Sequence, residues 1–189
     1  MAVTTLFDLL LKNGTTLFPG LTVSADIAVK GGKISDIGKF SEDQAGQSID
    51  CTNLHVLPGV IDTQVHFREP GAMHKEDIEH GTAAAALGGV TAIFEMPNTD
   101  PLTTTPETIE DKMRRAHKSA WVDYAFYLGG TKDNAGSLEK WENLPGVCGI
   151  KIFMGASTGD LLSATDEEVL KILSHGRRVV AVHAEDEFI

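Results

Sequence analysis

The sequence predicts an α/β protein, in which a small β-rich, sandwich-like domain over residues 1–56 precedes part of a (β/α)8 barrel over residues 57–189. Short extended segments separated by turn residues fill the first part. From residue 57, five apolar strands alternate with four helices, which is the spacing of βαβ units with parallel strands. The first strand–helix turn has no glycine-rich nucleotide-binding loop, and this favours a barrel over an open doubly wound sheet.

Turn residues organise the β-rich part. Asn13-Gly14 follows the apolar segment Leu6–Lys12 and predicts a hairpin. Gly31-Gly32 predicts a second hairpin between Asp26–Lys30 and Lys33–Ile37. A third extended segment is expected over Ser48–Val56.

The barrel part is predicted element by element from apolar runs, caps and glycines. The strands are Val60–Val65, Val90–Met96, Val122–Leu128, Gly149–Met154 and Arg178–His183, and the helices are Lys75–Leu87, Pro106–Ala120, Ser137–Asn143 and Asp166–His175. Thr105 before Pro106, and Thr165 with Glu168, are helix-start signals. Five strands cannot close an eight-stranded barrel, so we expect this sequence to be the first part of a longer protein.

Composition limits the function classes. The net charge is −11, and no Lys/Arg cluster is longer than a pair, which argues against a nucleic-acid surface. No apolar run is long enough to span a bilayer. Two cysteines, Cys51 and Cys148, fit a reducing compartment, so a cytoplasmic location is expected.

Polar side chains stand where the predicted strands end. They are Gln64, His66 and Arg68 at the first strand, Asn98 after the second, Lys151 in the fourth and His183 at the end of the fifth. The carboxyl ends of parallel barrel strands share one face, where barrel enzymes carry their active sites. We therefore expect these side chains to form one site.

Several of these residues have two interpretations. A single histidine at a strand end is more often structural, but His66 and His183 together with Lys151 predict metal binding. Lys151 could reach solvent or pair with an acid. Alternatively, burial lowers its pKa, and the neutral amine takes up CO2 to become a carbamate that bridges two metal ions.

Arg68 and Asn98 also have two interpretations each. Arg68 can hold a substrate carboxylate through paired hydrogen bonds, or it can form an ion pair with Glu69 or Glu95. Asn98 can donate a hydrogen bond to a substrate oxygen, or it can form a turn with its own backbone.

These segments resemble the amidohydrolase superfamily, and within it the dihydroorotase branch. The resemblance rests on Pro58–Asp62, Val65–Gly71, Glu95–Thr99, Lys151 with Phe153–Gly155, and His183–Glu185, in that order. It extends over the whole chain, because the β-rich start matches the small sandwich of this family.

The resemblance implies a (β/α)8 barrel that binds one or two zinc ions. His66, Lys151 and His183 would be metal ligands, with carboxylated Lys151 as the bridge, and Arg68 and Asn98 would hold a substrate carboxylate. The implied enzyme is a dihydroorotase, which reversibly interconverts N-carbamoyl-L-aspartate and L-dihydroorotate in pyrimidine biosynthesis.

The sequence departs from the family pattern in two ways. Gln64 stands where the family usually has the first histidine of an H-x-H pair, and an amide oxygen is a poor ligand for zinc. The sixth-strand histidine and the eighth-strand aspartate, which is the family's general base, are expected beyond Ile189.

Two alternatives to dihydroorotase remain open. One is a hydantoinase- or allantoinase-like ring opener, which needs no carboxylate clamp. The other is a catalytically silent homologue that serves as a scaffold for a partner such as a transcarbamylase. A homo-oligomer is also compatible with the sequence.

Overall fold

The computed structural model describes residues 5–155 and 161–186. The chain divides into two units, Met1–Pro58 and Gly59–Ile189. This division lies two residues beyond the boundary predicted after Val56.

The first unit contains two β-sheets. Its strands are β1 Phe7–Lys12, β2 Thr15–Phe18, β3 Leu21–Ser24, β4 Asp26–Lys30, β5 Lys33–Gly38, β6 Ala45–Asp50 and β7 His55–Val56. One sheet has the order β5-β4-β1-β6 and the other β3-β2-β7. The pairing of β4 with β5 is antiparallel, which confirms the hairpin predicted at Gly31-Gly32. The third predicted segment is divided between β6 and β7.

The predicted hairpin at Asn13-Gly14 is wrong. Strands β1 and β2 belong to different sheets, so the chain crosses from one sheet to the other at these residues. Asn13 does adopt the left-handed conformation, with φ of 63°. However, its backbone N–H donates to Asp26 Oδ1 at 2.9 Å and its Nδ2 donates to Asp50 Oδ1 at 3.0 Å. These distant partners satisfy the turn residue and replace the pairing between the flanking strands.

The second unit is built on a five-stranded parallel sheet of order β12-β11-β10-β9-β8. Its strands are β8 Val60–Val65, β9 Val90–Glu95, β10 Asp123–Gly129, β11 Val147–Phe153 and β12 Val180–His183. Its helices are α1 Ile78–Leu87, α2 Pro106–Ser119, α3 Leu138–Trp141 and α4 Asp166–Leu173, with short 3-10 turns at Glu42–Gln44 in the first unit and Ala135–Ser137 in the second. The strands follow one another in sequence order, as in a (β/α)8 barrel.

Caps set the helix starts. The side chain of Asp77 accepts a hydrogen bond from the His80 N–H, and α1 therefore begins at Ile78 and not at the predicted Lys75. Thr105 caps α2 with proline at its first position, and Thr165 caps α4 through a capping box with Glu168. Each cap satisfies backbone N–H groups that have no partner inside the helix.

The core of the second unit lies between its helices and one face of the sheet. Its buried members include Ile78, Ile109, Phe126, Leu128, Ile150, Ile152 and Ile172. No helix in the described ranges is long and apolar enough to cross a membrane. Cys51 and Cys148 are free thiols.

Candidate functional site

The candidate site lies at the carboxyl edge of the parallel sheet. His66 follows β8, Asn98 follows β9, Lys151 lies near the end of β11, and His183 is the last residue of β12. In the register of the sheet, Phe153 of β11 stands opposite His183 and Lys151 opposite Ala181. Adjacent parallel strands therefore bring these polar residues to one edge.

His66 and Asn98 form the closest contact of the site. His66 Nδ1 lies 2.7 Å from Asn98 Oδ1. Because an amide oxygen only accepts, Nδ1 carries the proton and Nε2 presents its lone pair. Burial lowers the pKa of His66, against the opposing effect of the Asn98 hydrogen bond, and the charges of Arg68 and Lys151 lower it further. The ring is thus held neutral, in a form that can bind a metal through Nε2.

The loop after β8 turns sharply at Arg68, whose φ is 62°. Arg68 does not continue the strand in phase with His66, as an extended chain would. Its side chain forms no ion pair or hydrogen bond within residues 5–155 and 161–186. The predicted alternative of an ion pair with Glu69 or Glu95 is therefore wrong: Glu69 pairs with Arg115 and Glu95 with Lys112.

Arg68 lines a cleft of about 200 Å³ together with Asn98. Lys75 and Asp100 border the same cleft. The cleft is held together by the backbone, since the Asp100 N–H donates to the Pro70 carbonyl at 3.1 Å. An unpaired guanidinium beside an amide can donate hydrogen bonds to a carboxylate, or to another group with two acceptor oxygens.

Lys151 is 3% exposed. Its Nζ lies 4.9 Å from the centre of the Phe153 ring and has no acid partner in the described part of the chain. Burial lowers the pKa of Lys151. Of the predicted alternatives, the structure therefore disfavours both a solvent-exposed lysine and an ion pair within the described ranges.

The side chains of His183 and Gln64 have fewer contacts with the other residues of the site. The His183 ring stacks on Phe153 with 5.9 Å between centroids, and its Nε2 lies 2.9 Å from Glu185 Oε2. The side chain of Gln64 is exposed and has no partner among the residues described. Over those same ranges, no three His, Cys, Asp or Glu side chains are grouped closely enough to hold a metal ion.

Two ion pairs near this edge, Lys112–Glu95 and Arg115–Glu69, were not predicted from the sequence. Lys112 and Glu95 are each 1% exposed and form a buried ion pair. Burial raises the pKa of Glu95 to about 7, although the Lys112 ammonium and the Phe67 backbone N–H oppose this rise. A signal was available, because Ile109, Lys112 and Ala116 have the spacing of one helix face and all three are buried.

Glu69 completes this layer. Its Oε2 accepts the Ile78 N–H at 2.9 Å, and its Oε1 lies 3.3 Å from Arg115 Nη1. Arg115 also binds Asp111, where Nε donates to Oδ2 at 2.7 Å. The loop after β8 is therefore bonded to the start of α1 and to the second half of α2.

Comparison with known proteins shows that the chain is similar to curated allantoinases. It is 37% identical over 183 residues to an allantoinase of Deinococcus radiodurans, an alignment that covers 94% of this chain and 41% of the relative. It is 40% identical over 188 residues to an allantoinase of Rubrobacter xylanophilus, covering 97% and 41%. The chain thus spans about two fifths of the length of these relatives.

Among solved structures, the L-hydantoinase (dihydropyrimidinase) from Arthrobacter aurescens superposes with a TM-score of 0.87 at 34% identity. The superposition covers 97% of this chain and 42% of the hydantoinase. This likeness confirms the predicted partial (β/α)8 barrel preceded by a small β-sandwich. Residues 54–187 match the model of the family described as dihydro-orotase-like, and the chain belongs to that family.

Proposed function

We propose that the protein containing this chain is a hydrolase that opens cyclic ureides, with hydantoin-type rings such as allantoin as the first candidate substrates. The observation that carries the proposal is the neutral His66 ring, fixed by Asn98 at the same sheet edge as the buried Lys151. The allantoinase and hydantoinase relatives support the ring type. The predicted dihydroorotase activity becomes the second candidate.

The residues at the sheet edge fit a zinc site in part. His66 has a free Nε2, and Lys151 and His183 lie on neighbouring strands with Phe153 between them. We propose that these three residues hold zinc, while the exposed Gln64 contributes at most a weak neutral oxygen. Zinc bound there would supply Lewis acidity toward the ring carbonyl and the attacking water.

Lys151 would bind as a carbamate. Its neutral Nζ would form a bond to the carbon of CO2 and lose one proton to solvent, which leaves a carbamate with one negative charge. The lowered pKa of Lys151 favours the neutral amine that this step needs. The lack of an acid partner within the described ranges leaves the Nζ free to react. Burial favours the neutral form of His66 by lowering its pKa, and the contact with Asn98 keeps the single ring proton on Nδ1.

Dihydroorotate is the second candidate because of the cleft beside His66. Arg68 and Asn98 line that cleft, and their donors suit the carboxylate that dihydroorotate carries and allantoin lacks. Under this alternative, Arg68 binds the carboxylate and orients the ring amide toward His66 and Lys151.

Arg68→Met in the full-length protein distinguishes the two candidates. Allantoin, hydantoin and dihydroorotate are assayed with zinc present. Hydantoin-type substrates should keep kcat/KM within about threefold, whereas dihydroorotate turnover should fall about 10- to 100-fold through loss of a charge-assisted contact. Arg114→Met, an exposed arginine on α2, is the matched control.

The same assay can overturn the proposal. A full-length protein that binds zinc but turns over none of the three rings would contradict it. Absence of both zinc and turnover would favour the third alternative, a catalytically silent scaffold. Mass spectrometry under non-acidic conditions tests the carbamate separately, as a 44 Da adduct on Lys151 that Lys151→Met lacks.

A further inference from the structure

A buried ion pair lies directly beneath the candidate site. Lys112 Nζ contacts Glu95 Oε2, donates to the Met96 carbonyl at 3.0 Å, and lies 5.4 Å from the centre of the Phe126 ring. Glu95 Oε1 is buried and accepts no hydrogen bond among the described residues. Two charges taken out of water cost desolvation energy, and apolar replacement of both partners is often neutral for stability. A contribution to stability is therefore a weak explanation for this pair.

The position of the pair suggests another role. Glu95 is the last residue of β9, and the next residue, Met96, donates its N–H to the Val65 carbonyl at the end of β8 at 3.0 Å. On the other side, the Phe67 backbone N–H favours the charged form of Glu95. The pair is thus bonded to the backbone where both strands end: at Phe67, one residue from His66, and at Met96, two residues from Asn98.

Arg115, one turn further along α2, makes a second connection, between this helix and Glu69 in the loop after β8. It holds Glu69, whose other oxygen accepts the Ile78 N–H at the start of α1. Lys112 and Arg115 therefore extend from one helix to the two loops that carry the site. Lys112 fixes the loop after β9, and Arg115 fixes the loop after β8.

We propose that Lys112 and Arg115 are positioning residues, which hold the two loops in register so that Asn98 meets His66 Nδ1 and Arg68 faces the cleft. The two cations touch neither substrate nor metal, and they act through Glu95, Met96 and Glu69. The proposal rests on the proposed function only for the reaction that is assayed, because the geometry of His66 can be measured independently.

The experiment uses the full-length protein with Glu95 and Lys112 replaced together by apolar residues, as Glu95→Met/Lys112→Met. This variant removes both buried charges at similar volume, so its Tm should stay within a few degrees of the parent. We expect kcat/KM to fall about 10- to 100-fold, as when groups that orient metal ligands are removed, mainly through kcat. Arg114→Met on the exposed side of α2 should change neither kcat nor KM.

A second readout follows the His66 ring itself. In protein freed of metal by chelation, the ¹⁵N shifts of His66, assigned with His66→Gln, should report the Nδ1–H tautomer in the parent. The double variant should give a mixture of tautomers. A folded double variant with the parent tautomer and the parent kcat/KM would overturn the proposal.

Two further outcomes are also decisive. If the double variant fails to fold, Arg115→Gln takes its place, since its guanidinium is partly exposed, and the same two measurements decide. If the parent opens no ring, the proposed function fails, but the His66 tautomer still shows whether Lys112 and Arg115 position that ring.

Discussion

Phe67 shows how a residue without chemistry of its own can control a site. It lies between His66 and Arg68 and is buried. A Cβ placed on Gly81 of α1 would lie 2.6 Å from two carbons of the Phe67 ring. Gly81 is therefore needed for the close approach of α1 to Phe67. Because Gly81 has no side chain, the helix can pack directly against the loop after β8.

Gly81→Ala is expected to displace Phe67 and, with it, the two residues that flank it. Overpacking of this kind typically costs about 1–3 kcal/mol, and kcat/KM for the ring substrate should fall as well. Urea unfolding and steady-state kinetics measure the two effects. Gly136→Ala is the control, since a Cβ there meets nothing within 4 Å. Equal effects of the two substitutions would contradict the packing argument.

Asp26 makes the first unit sensitive to acid. Burial opposes ionisation of Asp26, but hydrogen bonds from the backbone N–H groups of Asn13 and Phe40 and from Lys39 outweigh it, so its pKa lies below 3.8. A carboxyl whose folded pKa is lowered stabilises the protein above its unfolded pKa, and this stabilisation is lost as pH falls through the folded value.

Asp26→Asn should therefore destabilise the protein at pH 7 by about 1–3 kcal/mol, the worth of hydrogen bonds to a buried charge. The difference in unfolding free energy between the variant and the parent should shrink as pH falls below about 3.8. Urea unfolding between pH 2 and pH 7 measures it. Asp43→Asn, at an exposed position, should follow the parent curve. A constant difference at all pH values would refute the assignment.

Among the elements, helix α2 has the most consequences for the site. It begins at a capping box in which Thr105 accepts the Thr108 N–H and the Thr108 hydroxyl accepts the Thr105 N–H. Its inward face carries Ile109, Lys112 and Ala116. The cap fixes where the helix begins, and so it fixes which carbonyl and which carboxylate Lys112 and Arg115 can reach.

Thr105→Ala should cost about 1 kcal/mol, as N-cap removal usually does. Because the first turn would fray, the register of Lys112 over Glu95 should loosen as well. Thr105→Ser retains the capping hydroxyl and should behave like the parent. Urea unfolding gives the free-energy difference, and hydrogen exchange of the α2 amides shows whether the loss begins at the first turn.

At the scale of the whole chain, the outer strands of the described five-stranded sheet lack the neighbours that an eight-stranded barrel would give them. In the described structure, β8 pairs only with β9 and β12 only with β11. Apolar side chains remain exposed at both, including Val60, Ile61 and Val182. Parallel sheets are normally covered on both faces, and open apolar edges favour association.

A polypeptide of residues 1–189 should therefore self-associate as its concentration rises. Val179→Lys, at a residue 70% exposed beside β12, should weaken this association, whereas Leu170→Lys on α4, at 65% exposure, should not. Sedimentation velocity over a concentration series tests both variants. A monomeric parent, or equal effects of the two substitutions, would argue against association through the sheet edge.

Prediction from the sequence was most successful where one segment carries its own signal. The order of the five strands and four helices followed from apolar runs, caps and glycines, and the polar residues at strand ends followed from position alone. It failed at Asn13-Gly14, where the residues satisfy a turn locally but their partners, Asp26 and Asp50, are distant. For Arg68 it left two interpretations open, because the sequence does not show that Lys112 and Arg115 already pair with Glu95 and Glu69.

The sequence by itself determined the class of fold, the edge of the sheet where polar residues gather, and the identity of His66, Arg68, Asn98, Lys151 and His183 as the residues to consider. Only the tertiary structure decided that Asn98 contacts His66 Nδ1, that Arg68 is unpaired among the described residues, and that Lys112 and Arg115 pair with Glu95 and Glu69. The physical reason is the distance along the chain over which each interaction acts. Periodicity and capping act within a few residues, whereas an ion pair such as Lys112–Glu95 depends on packing between a helix and a strand that the chain brings together only on folding.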